Sequence, residues 1–157
     1  MYKKIIIGID ESDITQKALE KGVEFKKQFN SDLVIFHSLN KKLLSPTVPI
    51  IIPYPLKEGV KVSYDKYKKI NDSIEQQGEM VLNHARAFLN EEELDAELRL
   101  IHGIEPKDYY INAINDEKFD LAIIGYKGDD SELKKFLFSS KKKGLINGAQ
   151  CDILIVK

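Results

Sequence analysis

Apolar residues along the chain gather into five short runs bounded by turn or charged residues: Lys4–Asp10 (KIIIGID), Asp32–Ser38 (DLVIFHS), Ala96–His102 (AELRLIH), Asp120–Tyr126 (DLAIIGY) and Asp152–Lys157 (DILIVK). Their brevity and their content of Ile, Val, Leu and Phe predict β-strands. Four are continuously apolar, the pattern of strands buried on both faces. AELRLIH alternates instead, with Glu97 and Arg99 opposite Leu98 and Leu100, which places it at a sheet edge.

Between the strands the apolar period lengthens to that of a helix. Ile14, Ala18, Gly22, Phe25 and Phe29 form one stripe, with Asp13 and Gln16 offering an N-terminal cap. A longer pattern, roughly Tyr64 to Asn90, carries Tyr67, Ile70, Ile74, Val81, Ala85 and Phe88 on one face and Lys, Asp, Gln and Glu on the other. Two shorter ones follow, at Pro106 to Asp116 with Tyr110, Ala113 and Ile114 inward, and at about Ser139 to Ala149. The order βαβαβαβαβ argues for an α/β fold, a parallel sheet with helices on both faces, because parallel strands need crossovers. In such sheets ligands sit beyond the carboxyl ends of the strands, where the strand order reverses. Lys41–Val62 breaks the pattern: it holds four of the five prolines and no helical period, and reads as a long Pro-rich loop after the second strand. It folds onto its own domain, meets a partner, or closes over a ligand.

Composition narrows the classes. A chain of 157 residues, 43% hydrophobic, suits one domain, here 1–157. Its 24 Lys plus Arg against 25 Asp plus Glu leave a formal charge of −1, so bulk charge gives no reason to expect a nucleic-acid partner. The single cysteine, Cys151, allows no disulfide framework and suits a small core residue in a reducing cytosol. The apolar run at the N-terminus is too short for a signal peptide, and no window is long enough for a membrane helix, so a soluble, cytoplasmic protein is expected.

The candidate chemistry lies at two strand ends. Gly125 and Gly128, three apart after the fourth strand, allow backbone N–H groups to approach an anion without interference from a Cβ; an ordinary strand-to-helix turn explains the same pair. Asp10 ends the first strand in GIDES, where an acid binds ribose hydroxyls or an adenine edge, or else orders the turn into the first helix. His37 and His102 end strands and His84 lies beside an apolar stripe; without metal-site spacing they are expected to be buried or satisfied, and His84 to pack. Neither a G-x-S-x-G elbow nor a P-loop motif is present, which argues against a hydrolase or P-loop kinase.

Taken together, KKIIIGIDESDITQKALEKGVEF, LVIFHS, GYKG and the closing CDILIVK resemble the universal stress protein family over nearly the whole chain outside the Lys41–Val62 loop. The resemblance implies a five-stranded parallel sheet in order 3-2-1-4-5, the adenine nucleotide alpha hydrolase-like fold. It also implies a homodimer formed through the last strand, Asp152–Lys157. In that family G-x2-G-x9-G-[S/T] marks the members that bind ATP. Here Gly125 and Gly128 match, whereas the third position falls on Phe138 followed by Ser139. With a loop one residue longer it falls on Ser139 followed by Ser140, the register preferred because it leaves Phe138 free to face the core. In neither register is the third glycine present.

The resemblance therefore implies a pocket made by Gly8, Ile9, Asp10, Ser38, Ile124, Gly125, Lys127, Gly128, Ser139 and Ser140. Its ligand would be ATP, with magnesium as a companion ion, or nothing if the degenerate motif no longer binds. Asp129 and Asp130 weigh against a phosphate: a carboxylate ~5 Å away repels it by about 3 kcal/mol at an effective dielectric of about 20, a sign that magnesium reverses. Lys141–Lys143 hold a triphosphate or form a solvated face. No general base stands out, so efficient turnover is not expected. The expected function is a dimeric stress-response regulatory domain that binds adenine nucleotide. The alternative is a nucleotide-free protein-interaction module that acts with an unknown protein partner, and an enzyme using the cleft has only the fold in its favour.

Overall fold

Parallel strands cannot be joined by tight hairpins, so each connection must carry the chain back across a face of the sheet. The computed structural model describes residues 1–39, 59–126, 128, 130–138 and 144–157 and meets that requirement in every connection it describes. The elements run β1 (Lys4–Gly8), α1 (Asp13–Phe29), β2 (Asp32–Leu39), α2 (Gly59–Glu91), β3 (Glu97–His102), α3 (Pro106–Glu117), β4 (Leu121–Gly125), α4 (Asp130–Phe138), α5 (Leu145–Gly148) and β5 (Asp152–Val156). The strands form one five-stranded sheet in order β3-β2-β1-β4-β5, with all four pairings parallel. Ile7 at its centre pairs with Ile35 on one side and Ile123 on the other.

Alternation along the strands sorts the core into two layers. Ile5, Ile7, Leu33, Ile35, Leu121 and Ile123 face α1 and α2, and pack with Ala18, Leu19, Val81, Ala85 and Leu89. Ile6, Val34, Phe36, Ala122 and Ile124 face the other way, against Tyr110, Ala113 and Ile114 of α3, Leu137 of α4 and Leu145 of α5. Phe25 and Phe29 are half-buried and close the bottom of α1 with Tyr2, their rings 5.6–5.8 Å apart. Gly78, inside α2, lets that helix approach the sheet: a Cβ there would stand 2.8 Å from Leu39 and Leu100 side-chain atoms.

Five expectations need correction. The Pro-rich loop was drawn too long: α2 begins at Gly59, and the remainder of the expected loop lies outside the described residues. The stretch after Gly128 is not all loop, because Asp130–Phe138 forms α4, in which Phe136 and Leu137 supply an apolar stripe with Leu137 buried. Phe138 does not face the core, being 55% exposed, since Leu137 one position earlier takes the inward face. The last helix starts at Leu145 with Gly144 as N-cap, later than expected. Asp13 does not cap α1: it is the first helical residue, and the N-cap is Ser12. In addition, β5 is the sheet's second edge, so its apolar residues are half-exposed where burial on both faces was expected. Ile70, placed on the inward stripe of α2, is 37% exposed.

Below the sheet, an ion network ties three elements together. Arg99 grips Glu117 with two hydrogen bonds of 2.5 and 2.9 Å and also reaches Glu97 at 2.8 Å, while Lys4 meets Glu117 at 3.0 Å. The fork geometry of Arg99 allows that double contact. The Arg99 hydrogen bonds, outweighing partial burial and helped by Lys4, hold the Glu117 carboxyl down at about 2. A carboxyl depressed in the folded state stabilises the protein above its unfolded value and loses that contribution as pH falls through the folded one. Glu117→Gln is therefore expected to lower stability by a constant amount above about pH 5. The gap to wild type should close as pH falls from 4.5 towards about 2, measured by urea denaturation at a series of pH values. A gap that stays constant across that range would remove Glu117 from the acid response.

Candidate functional site

The strand order reverses between β1 and β4, and the carboxyl ends of β1, β2 and β4 surround the place where a ligand is expected. Beyond β1 the chain does not continue extended. Asp10 folds it into a turn: its Oδ1 accepts the Ser12 N–H at 2.8 Å, the Thr15 hydroxyl at 2.8 Å and the Ser12 hydroxyl, while its own N–H donates to Thr15 Oγ1 at 2.9 Å. This Asp–Ser–Thr turn is the short-range capping that Ser, Thr and Asp provide at helix starts. It also explains why Ser12, at the N-cap position, makes no side-chain cap bond to the helix. Partial desolvation pushes the carboxyl of the exposed Asp10 up, but the Ser12 and Thr15 bonds, with His37 nearby, outweigh it and hold the group below its usual range. Asp10 is thus ionised at neutral pH, and its Oδ2 takes none of these bonds.

The His37 ring packs against the same turn. Its Nδ1 lies 2.8 Å from the Ile9 carbonyl, which can only accept, so Nδ1 carries a proton, and in the neutral tautomer this leaves Nε2 as the acceptor. The expectation of a satisfied histidine holds for His37. His102 and His84 depart from it: both are exposed, and His102 stands 4.0 Å from Glu75.

A cavity of about 450 Å³ opens here, lined by Asp10, Ser12, His37, Ser38, Leu39, Ile74 and Gln77 among others. A second, of about 650 Å³, continues between α1 and α2 past Asp13, Met80 and His84, and shares Asp10, Glu11, Ser12 and Gln77 with the first. Both volumes fall in the range of small-molecule sites. Among the described residues that line them, Asp10, Glu11 and Asp13 are acidic and none is Lys or Arg. Those carboxylates suit hydroxyl and amino groups as partners.

Of the residues expected to form a site, Asp10 and Ser38 meet in the first cavity. The Ser38 hydroxyl already donates to the Ile104 carbonyl. Ile9 and Ile124 are buried, and the Ile9 N–H pairs with the Phe36 carbonyl at 2.9 Å, so they contribute backbone and shape. Gly8 and Gly125 end their strands. Gly128 is exposed beyond β4, and a Cβ on it would meet the Tyr126 ring. Gly125 and Gly128 line neither cavity; Lys127, Ser139 and Ser140 lie outside the described residues. Sequence reasoning missed Ser12 and Thr15, whose spacing from Asp10 was a turn signal; it read Ile74 only as part of the apolar stripe of the long helix, and Gln77 carried no signal among the other polar residues there. Among the described residues no group of three or more His, Cys, Asp or Glu could hold a metal ion. No helix among the described residues is long and apolar enough to cross a membrane. Cys151 is half-buried and its thiol is pushed up to about 11, chiefly by burial, as suits an inert packing residue.

Comparison with known proteins places these features in a wider set. The model of the universal stress protein family matches residues 1–157. The chain is 27% identical over 165 residues to the stress response protein NhaX of Bacillus subtilis, covering 98% of this chain and 97% of that protein. It is 24% identical to the universal stress protein YxiE of the same organism over the full length of both. Among solved structures, UspA from Lactobacillus plantarum superposes with a TM-score of 0.66 at 15% identity, covering 99% of this chain and 98% of that one. The Archaeoglobus fulgidus universal stress protein in complex with dAMP gives 0.60 at 16% identity, with coverage of 99% and 98%. A universal stress protein family member from Arabidopsis thaliana with AMP bound gives 0.57 at 14%, with coverage of 99% and 91%.

Gly125 shows how packing and ligand binding compete to explain one glycine. A Cβ there would stand 3.0 Å from the Ile14 main-chain oxygen in the first turn of α1, too close unless the helix gives way. Gly125→Ala is expected to cost about 1–3 kcal/mol of folding stability, the usual price of overpacking, measured by chemical denaturation without any ligand. Unchanged stability would leave Gly125 to ligand approach alone.

Proposed function

Because the chain belongs to the universal stress protein family, its model matching residues 1–157, we propose that it is a regulatory domain that binds an adenine nucleotide at the carboxyl ends of β1, β2 and β4 and turns it over little. The observation that carries this reading is the cavity of about 450 Å³ built around ionised Asp10 and the Nδ1-protonated ring of His37. Oδ2 of Asp10 accepts from ribose hydroxyls, Nε2 of His37 accepts an amino or hydroxyl hydrogen, and Leu39 and Ile74 give the purine an apolar wall. The phosphates point away from Asp10 and Glu11, toward the loop after β4, where Gly125, Lys127, Gly128, Ser139 and Ser140 are the proposed contacts. The AMP and dAMP held by two structural neighbours are consistent with this ligand class. ATP, with magnesium to offset the local carboxylates, is the fuller version of the same ligand.

We further infer a cytoplasmic homodimer. Its support is β5, an edge strand whose Ile153, Leu154, Ile155 and Val156 are all half-exposed. An unpaired apolar edge of this kind invites a second copy.

A nucleotide-free interaction module remains the second reading, favoured by the packing demand on Gly125 and by the absence of the third glycine at Phe138, Ser139 and Ser140. Titration calorimetry of nucleotide-stripped protein with AMP and with ATP, each with and without magnesium, separates the two. Micromolar binding is expected, and Asp10→Ala should weaken it for both nucleotides. A folded protein that takes up neither nucleotide at millimolar concentration would leave the interaction module standing.

A further inference from the structure

Tyr110 carries a hydroxyl where packing alone asks only for a ring. It is 2% exposed in the α3 layer, with its ring set edge-on to Phe36 at 4.8 Å and an interplanar angle of 78°. Phenylalanine would fill that space without the cost of burying a polar group. The hydroxyl instead reaches the sheet, where it accepts the Gly8 N–H and donates to the Ile123 carbonyl at 2.7 Å. Gly8 is in register with Ile124, so in a parallel ladder the Gly8 N–H and the Ile123 carbonyl are the two ends of one rung. It lies at the end of the β1–β4 ladder, one rung before the Gly8 carbonyl meets the Gly125 N–H, at the point where strand order reverses. Gly8 makes room for it: a Cβ there would stand 2.8 Å from the hydroxyl and 2.9 Å from Phe36 Cζ. Burial, the largest influence, pushes the phenol above its ordinary range, so the hydroxyl remains able to donate to Ile123 at any working pH.

Both strands end within two residues of this contact. Asp10 lies two residues after Gly8, and Gly125 two after Ile123. We propose that Tyr110 is a positioning residue for the cleft: its hydroxyl pins this rung near the end of the β1–β4 ladder from behind and so sets where Asp10 and Gly125 stand. Its consequence for ligand affinity rests on the nucleotide reading above; the structural part does not.

Tyr110→Phe keeps the ring and removes only the hydroxyl. Backbone amide shifts and hydrogen exchange of the ligand-free variant give the first readout, and AMP titration gives the second. The Gly8 amide must respond whatever the role, so the diagnostic amides are Asp10, Ser12 and Gly125, with Leu100 and Ile153 on the edge strands as controls. The cleft amides are expected to shift and to exchange about tenfold faster while the edge strands stay unchanged, and AMP affinity should fall about five- to tenfold. Gly8→Ala, which crowds the same rung from the opposite partner, should move the same amides if Tyr110→Phe does not fold. Unmoved cleft amides, uniform loosening of all strands, or an AMP affinity within about twofold of wild type beside shifted amides would each overturn the proposal. If wild-type protein takes up no AMP, the nucleotide reading fails and the cleft amides alone decide.

Discussion

The parallel pairing of β1 with β2 on one side and β4 on the other is the constraint from which the rest follows. Each strand must be re-entered from the same end, so every crossover spans a face. The first two, through α1 and α2, lie on one face; the last two, through α3 and then α4 with α5, lie on the other. The chain leaving β1 therefore turns to one face while the chain leaving β4 turns to the opposite one. The two exits diverge, and a cleft at the carboxyl ends is the geometric remainder. Burial of both faces explains why the central strands hold almost no polar side chain, and why polar chemistry begins only where the strands end.

At the mouth of that cleft the local chemistry closes on itself. Asp10 orders the turn through Ser12 and Thr15, and the turn carbonyl at Ile9 orders His37. Among the described residues, Oδ1 takes the structural bonds and Oδ2 takes none of them. Such a division suits a residue that must present an acceptor in a fixed place, because the bonds on Oδ1 remove the rotamer freedom that a ligand would otherwise have to freeze. The same bonds keep the carboxyl ionised despite partial desolvation, and an ionised carboxylate only accepts. The cleft thereby offers hydroxyl and amino donors an acceptor in a fixed place.

How much of this was legible in the sequence depended on whether the signal was local. All five strands were read within a residue or two, since a short apolar run between turn residues carries its own boundaries. The edge position of β3 followed from the alternation of Glu97 and Arg99 with Leu98 and Leu100. The edge position of β5 did not show in its own pattern, because an apolar edge strand looks like a buried one. α4 was missed because two glycines and two aspartates drew attention to a loop, although Leu133, Phe136 and Leu137 are spaced i, i+3, i+4 in the sequence, as in a helix. In the site, Asp10 was legible from turn chemistry and its place after a strand. Ile74, Gln77 and the role of the Tyr110 hydroxyl were not, because each depends on which residues distant in sequence stand opposite.

The glycines show why a short motif cannot separate packing from binding by itself. Gly8 lacks a Cβ where the Tyr110 hydroxyl and Phe36 press on β1 from the α3 side; Gly125 lacks one where α1 presses on β4 from the other. Both would be glycine in a protein with an empty cleft. The two pressures act on opposite faces of adjacent strands and meet at the crevice between them, so the packing that demands the glycines also fixes the lips of the cleft. A glycine required by the scaffold can still serve a ligand, because the backbone it bares is held in place by the neighbours that required it. The discriminating features are therefore the groups that packing does not explain: Oδ2 of Asp10, Nε2 of His37 and a buried tyrosine hydroxyl where a phenylalanine would pack as well.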